Sequence, residues 1–153
     1  KTGALISAAC RLGAILGELP EVQEHALATF GMKTGIVFQM ADDILDYMAD
    51  ENELGKKLCK DLEEGKITLP LLYLLTSAKE DEQNEIKNII TDFSDEGLSR
   101  IMMLLKEHRS IELSLKKAQS LADEAKSRLA VFPDSQAKDA LLAIAEYSLH
   151  REN

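Results

Sequence analysis

Three aspartates interrupt an apolar run at Gly35-Ile36-Val37-Phe38-Gln39-Met40-Ala41-Asp42-Asp43-Ile44-Leu45-Asp46-Tyr47. On a helix, Gln39, Asp42 or Asp43, Asp46 and Asp50 return every three or four residues and form one polar stripe among Ile, Val, Phe, Met and Leu. Folding alone does not favour such a stripe. Carboxylates at i and i+4 repel by about 0.2–0.5 kcal/mol per pair on an exposed helix, and burying them without partners costs much more. A cation is the simplest compensation. Carboxylates with no His or Cys nearby suit Mg2+, which takes one or two of them and leaves its other positions to water and phosphate. A solvated acidic face is the competing explanation, and the apolar flanks weigh against it.

A polar connection follows at 49–67, with Gly55 and Gly65 marking turns. At about 19 residues it is long for a compact domain, and such loops are usually functional or disordered. Lys56, Lys57, Lys60 and Lys66 fall within it, directly after the carboxylates. Alone, a lysine-rich loop is ordinarily just solvated. After an acidic stripe it suits a diphosphate, whose inner oxygens a metal neutralises while ammonium groups take the outer ones.

The elements that must position these groups all read as helices. Residues 1–17 alternate Leu5, Leu12 and Leu16 with Gly and Ala, a segment small enough to pack closely on several neighbours. Pro20 ends it. A second helix is expected from Glu21 to about Met48. Gly31 and Gly35 weaken it by about 1 kcal/mol each relative to Ala. They serve either close helix packing or the approach of a ligand. Pro70 suits the first turn of a short buried helix through Leu71–Leu75. Four more helices are expected near 80–92, 95–108, 110–132 and 135–150, with Asp95, Ser110 and Asp134 or Ser135 as N-caps. Ile111, Leu115, Ala118, Ala122, Ala125 and Leu129 step by 4, 3, 4, 3 and 4, an ordinary core seam. The expected class is all-α, one helical-bundle domain over 1–153.

The 153 residues are 45% hydrophobic and carry a formal net charge of -9. That acidity makes the chain a poor general binder of nucleic acid or anionic membrane. No apolar stretch is long enough to span a bilayer. Cys10 and Cys59 form no CxxC pair and read as reduced thiols of a cytoplasmic protein. The three histidines are isolated, with no zinc or His-based catalytic pattern. The start at Lys1, without Met and inside a helix, suggests a fragment.

Lys1-Thr2, then Phe38-Gln39-x-x-Asp42-Asp43-x-x-Asp46, Gly55-Lys56, Lys60-Asp61 and Gly65-Lys66-x-Thr68-Leu69-Pro70 resemble, in order and approximate spacing, the C-terminal half of the trans-isoprenyl diphosphate synthases, the polyprenyl synthetase family. The motifs cover residues 1–75, and 76–153 are compatible with that family's trailing helices. The resemblance implies the isoprenoid synthase fold and a Mg2+-dependent prenyltransferase. An allylic diphosphate ionises, isopentenyl diphosphate attacks the carbocation through its double bond, and a proton leaves. It also implies the roles. Asp42 resembles the main metal ligand, with Asp43 and Asp46 as direct or water-mediated supports. Lys1 and Lys56, and more distantly Lys66, look like the lysines at the diphosphate. Thr2 and Gln39 look like dipoles facing the carbocation, and Phe38 like the aromatic shaping the isopentenyl side. Asp61 is expected to be structural, pairing with a loop lysine.

The family's first aspartate-rich motif has no counterpart here, nor do its N-terminal isopentenyl-diphosphate residues. This chain resembles half an active site, inactive alone. Homodimerisation, or pairing with the missing N-terminal half, is implied. The alternative is a noncatalytic synthase-like subunit that regulates a catalytic partner. A terpene cyclase would carry a different second metal motif, and a di-iron bundle would need Glu-x-x-His pairs, which are absent.

Overall fold

A computed structural model describes residues 1–48 and 59–149, and no strand occurs among them. The helices are α1 (Thr2–Leu16), α2 (Glu21–Leu45), α3 (Lys60–Glu63), α4 (Leu69–Ser77), α5 (Glu80–Thr91), α6 (Asp95–Glu107), α7 (Ser110–Ser127) and α8 (Gln136–Leu149), with a 3-10 turn at Arg128–Val131. They form two compact units, Lys1–Ala41 with Lys117–Asn153, and Asp42–Lys116. The all-α expectation holds.

In the first unit, α1 runs antiparallel against α2. Gly3 meets Gly35, Ile6 and Cys10 flank Gly31, Ser7 Oγ donates to the Ala28 carbonyl at 2.7 Å, and Arg11 pairs with Glu24 at 2.7 Å. A Cβ on Gly35 would lie 2.5 Å from Gly3 Cα, and one on Gly31 would lie 2.7 Å from the Ile6 carbonyl oxygen. Another backbone therefore occupies the space at both glycines, so close helix packing accounts for them. The opposite side of α2 contributes Phe30 to a cluster with Ala125, Leu129 and Ala145. Lys33 meets Glu124 at 2.6 Å, and Lys126 meets Glu146 at 2.9 Å.

Helix α1, expected to pack closely on several neighbours, is covered on one side only among the described residues. Gly3 and Ala14 are its buried residues, while Leu5 and Leu16 are 74% and 84% exposed. Leu5, Leu12 and Leu16 thus form an apolar stripe on an uncovered side.

The second unit packs Tyr47, Cys59, Leu62, Leu71, Leu74, Ile86, Ile101, Leu104 and Leu105 into its own core. Arg100 grips Glu85 through both carboxylate oxygens, at 2.8 and 3.0 Å, and so ties α6 to α5. Pro70 lies in the first turn of α4 as expected, although Leu72 is half exposed.

Several expectations shift. Helix α2 ends at Leu45, before Met48, because Tyr47 and Met48 bond to carbonyls three residues back and tighten the last turn. The polar connection contains α3. Ser94, not Asp95, caps α6 by accepting the Gly97 amide at 3.1 Å. Ser110 Oγ is buried without a hydrogen-bond partner, so it caps nothing. Ser135 caps α8 by accepting the Lys138 amide, while Asp134 pairs with the Lys138 ammonium. The α7 seam runs through buried Ser114 rather than the partly exposed Leu115.

The α1–α2 contact yields a stability prediction. Gly35→Ala gains helix propensity but overpacks two backbones, for a net loss of about 1–3 kcal/mol. Gly13→Ala meets nothing within 4 Å and gains about 0.5–1 kcal/mol. Urea denaturation followed by circular dichroism should move the two midpoints in opposite directions.

Candidate functional site

Helix α2 is strictly two-faced where it matters. Phe30, Thr34, Val37, Ala41 and Ile44, at steps of 4, 3, 4 and 3, are all buried. Gln39 and Asp42 are exposed, and Phe38, Asp43 and Asp46 are half-buried. The carboxylates therefore avoid the core without breaking the helix. Asp50, the last member of the stripe expected from sequence, lies outside the described residues, as do Lys56 and Lys57.

In the first unit, Lys1 is exposed and Thr2 opens α1. Gly3 sits close to Met32 and Ile36, a Cβ there being 3.0 Å from the Met32 carbonyl oxygen and 3.4 Å from Ile36 Cγ1. The glycine contact thus brings the Lys1-Thr2 end of α1 to the turn of α2 that precedes Phe38 and Gln39.

In the second unit, Asp46 has partners that the sequence does not advertise. Its Oδ1 accepts the Lys60 amide at 3.2 Å, and its Oδ2 accepts the Asp61 amide at 3.0 Å. Its main-chain oxygen accepts the Cys59 amide at 3.0 Å. Burial pushes the Asp46 carboxyl above its ordinary range, and the two amides pull it back. Tyr47, the next residue, is buried, and its hydroxyl oxygen accepts Thr68 Oγ1–H at 3.2 Å. Burial pushes the Tyr47 phenol up to about 12 and the Cys59 thiol up to about 12, so both stay neutral near pH 7.

Lys66 is held by two carboxylates, Asp61 at 2.8 Å and Glu64 at 2.7 Å. Its hydrogen bond to Asp61, then that to Glu64, raises its pKa, so it is cationic at any physiological pH. The expected pairing of Asp61 with a loop lysine is therefore present. From sequence Tyr47 carries no assigned role, Thr68 enters only within the family motif, and Cys59 only as a reduced thiol. The available signal was Thr68 immediately before Leu-Pro, at the entry to a helix.

Among the described residues no three His, Cys, Asp or Glu side chains converge as a metal cage. Exposed Asp42 and half-buried Asp43 offer hard oxygen donors next to each other on α2. Such a donor set fits Mg2+, which takes one or two carboxylates and completes its octahedron with water and phosphate. It does not fit an ion held by protein ligands alone.

Comparison with known proteins supplies the context. Residues 1–107 match the family model described as Polyprenyl synthetase. The octaprenyl diphosphate synthase of Haemophilus influenzae is 34% identical over 152 residues, 99% of this chain and 46% of that protein. The decaprenyl diphosphate synthase of Rhodobacter capsulatus superimposes with a TM-score of 0.90 at 36% identity, over 99% of this chain and 48% of that one. The polyprenyl synthase of Caulobacter crescentus, solved with calcium and isoprenyl diphosphate, gives a TM-score of 0.85 at 32% identity, over 96% of this chain and 45% of that one. The chain thus spans less than half the length of these relatives. With residues 1–107 matched by the family model and its helices superimposing on solved synthases, the chain belongs to the polyprenyl synthetase family, that of the trans-isoprenyl diphosphate synthases.

Proposed function

We propose that this chain is the C-terminal half of a prenyltransferase that condenses isopentenyl diphosphate with an allylic diphosphate, working as a cytoplasmic homodimer with Mg2+. The carrying observation is the division of α2, which exposes Gln39 and Asp42, with Asp43 half-buried beside them, while Val37, Ala41 and Ile44 fill the core. The metal reading also draws on the Caulobacter relative, solved with a divalent ion and an isoprenyl diphosphate.

In this reading Asp42, supported by Asp43, holds Mg2+ against the diphosphate. Bound there, the ion would supply Lewis-acid stabilisation of the departing pyrophosphate. Lys1, Lys56 and Lys66 balance the remaining charge. The allylic C–O bond breaks, and pyrophosphate leaves with its electron pair. The isopentenyl double bond then forms the new C–C bond, and loss of a proton restores an alkene. Thr2 and Gln39 face the carbocation with dipoles too weakly nucleophilic to trap it, and Phe38 packs on the isopentenyl side.

The part of the relatives' length that this chain does not span completes the site. Two observations support it: the chain spans 46% of the Haemophilus synthase, and α1 leaves Leu5, Leu12 and Leu16 uncovered. Covering each leucine is worth about 1.5–3 kcal/mol.

Two outcomes are expected. This chain, incubated with radiolabelled isopentenyl diphosphate, farnesyl diphosphate and Mg2+, gives no elongated product; product from the chain alone would show that no second half is needed. After reconstitution with a complementary N-terminal half, Asp42→Ala lowers kcat by about 10²–10³-fold. An unchanged kcat would remove Asp42 from the metal site.

A further inference from the structure

The structure assigns Asp46 and Tyr47 to positioning rather than to metal binding: together they pin both ends of the segment that carries Lys66. Asp46 takes the amides of Cys59, Lys60 and Asp61 on its three oxygens. Tyr47 takes the hydroxyl of Thr68, the residue that opens α4. Two adjacent residues at the end of α2 thus anchor a stretch that starts at 59 and finishes at 68.

The segment needs such an anchor. Helix α3 has four residues, too few to hold its shape unaided. Its first amides have no partners within the helix, and the Asp46 carboxylate supplies them. Cys59 is left-handed, with φ 56 and ψ 39, a conformation that a residue with a Cβ adopts at a cost. Once seated, Cys59 and Leu62 are fully buried. Asp61, now fixed, holds the Lys66 ammonium at 2.8 Å, and Glu64 holds it from the other side at 2.7 Å. Position therefore passes from Asp46 through the backbone of α3 to Asp61 and on to Lys66.

Asp46 differs in this from Asp42. Its carboxylate is half-buried and directed at two amides, whereas Asp42 is exposed. Asp42 and Asp46 thus differ: the first is an exposed donor and the second an inward anchor. The importance given to Lys66 rests on the diphosphate reading above; the anchor itself does not.

The experiment is residue-resolved amide exchange on the full chain, free of metal. In Asp46→Asn one oxygen becomes an NH2 that faces an amide N–H, so one hydrogen bond is lost and the other is no longer charge-assisted. The Lys60 and Asp61 amides should then exchange at least about tenfold faster, with Ala118 and Ala122 of α7 unchanged. The same variant should lower the titration midpoint of Lys66, followed by the NMR shift of its ε-carbon, towards that of an ordinary lysine, a change that a purely structural loss elsewhere would not produce. Unchanged exchange at Lys60 and Asp61, or a uniform rise over the whole chain, would overturn the local anchor. So would faster exchange of these two amides in the wild-type chain on adding Mg2+ with inorganic pyrophosphate, because the carboxylate would then have left them for the metal. Failure of the prenyltransferase reading would leave the metal-free exchange result standing, which separates the two ideas.

Discussion

Helix α2 must satisfy two solvents along one axis. Its buried seam, Phe30 to Ile44, is continuous with the cores it serves, and a single carboxylate turned into it would go without a partner. A period close to 3.6 solves this, because residues three and four apart share a face and the opposite face is free to be acidic. The other features depend on that solution. Helix α1 can lie on α2 because Gly31 and Gly35 present backbone to it. The segment after α2 can be anchored because Asp46 emerges where the helix ends.

Much of the fold could be read from the chain because it rests on local signals. The starts of α2, α5, α6 and α7 fall at the expected residues, and Pro20 and Pro70 mark the boundaries as their fixed φ demands. What escaped reading depended on distant partners. Helix α3 has one apolar residue, Leu62, too few to show helical periodicity, and Asp46, fourteen residues away from Lys60, accepts an amide at its start. Ser110 looked like a cap by type, yet its hydroxyl is buried and bonds to nothing. The Ser114 seam position was hidden for a similar reason. A serine hydroxyl bonded to the Ser110 carbonyl at 2.8 Å is tolerated in a core, while the neighbouring Leu115 faces outward.

The candidate site was legible to a different degree. Residue types and spacing make the acidic stripe and Lys66 candidates, because chemistry that handles diphosphate would require hard oxygens and ammonium groups in quantity. They did not reveal that the carboxylates take separate tasks. Spacing on a helix sets direction only to within a turn, and the difference between an outward donor and an inward anchor lies in what the chain does after residue 58. The pairing of Tyr47 with Thr68 was hidden for the same reason, although Thr68 itself stands in a recognisable motif. A buried hydroxyl pair carries no sequence signature beyond two ordinary residues.

The two cysteines fall one to each compact unit, Cys10 in the first and Cys59 in the second. Burial raises both thiols above the ordinary range and so suppresses the thiolate through which alkylating reagents react. Fully buried Cys59 becomes reactive when its surroundings open, and half-buried Cys10 becomes more so when its own do. Cys10 lies where α1 meets Gly31, and Cys59 lies at the anchored entry to α3. The chain therefore carries two chemically identical clocks in separate places. Their labelling rates time the opening of the α1–α2 contact and of the Asp46 anchor independently, with no probe added.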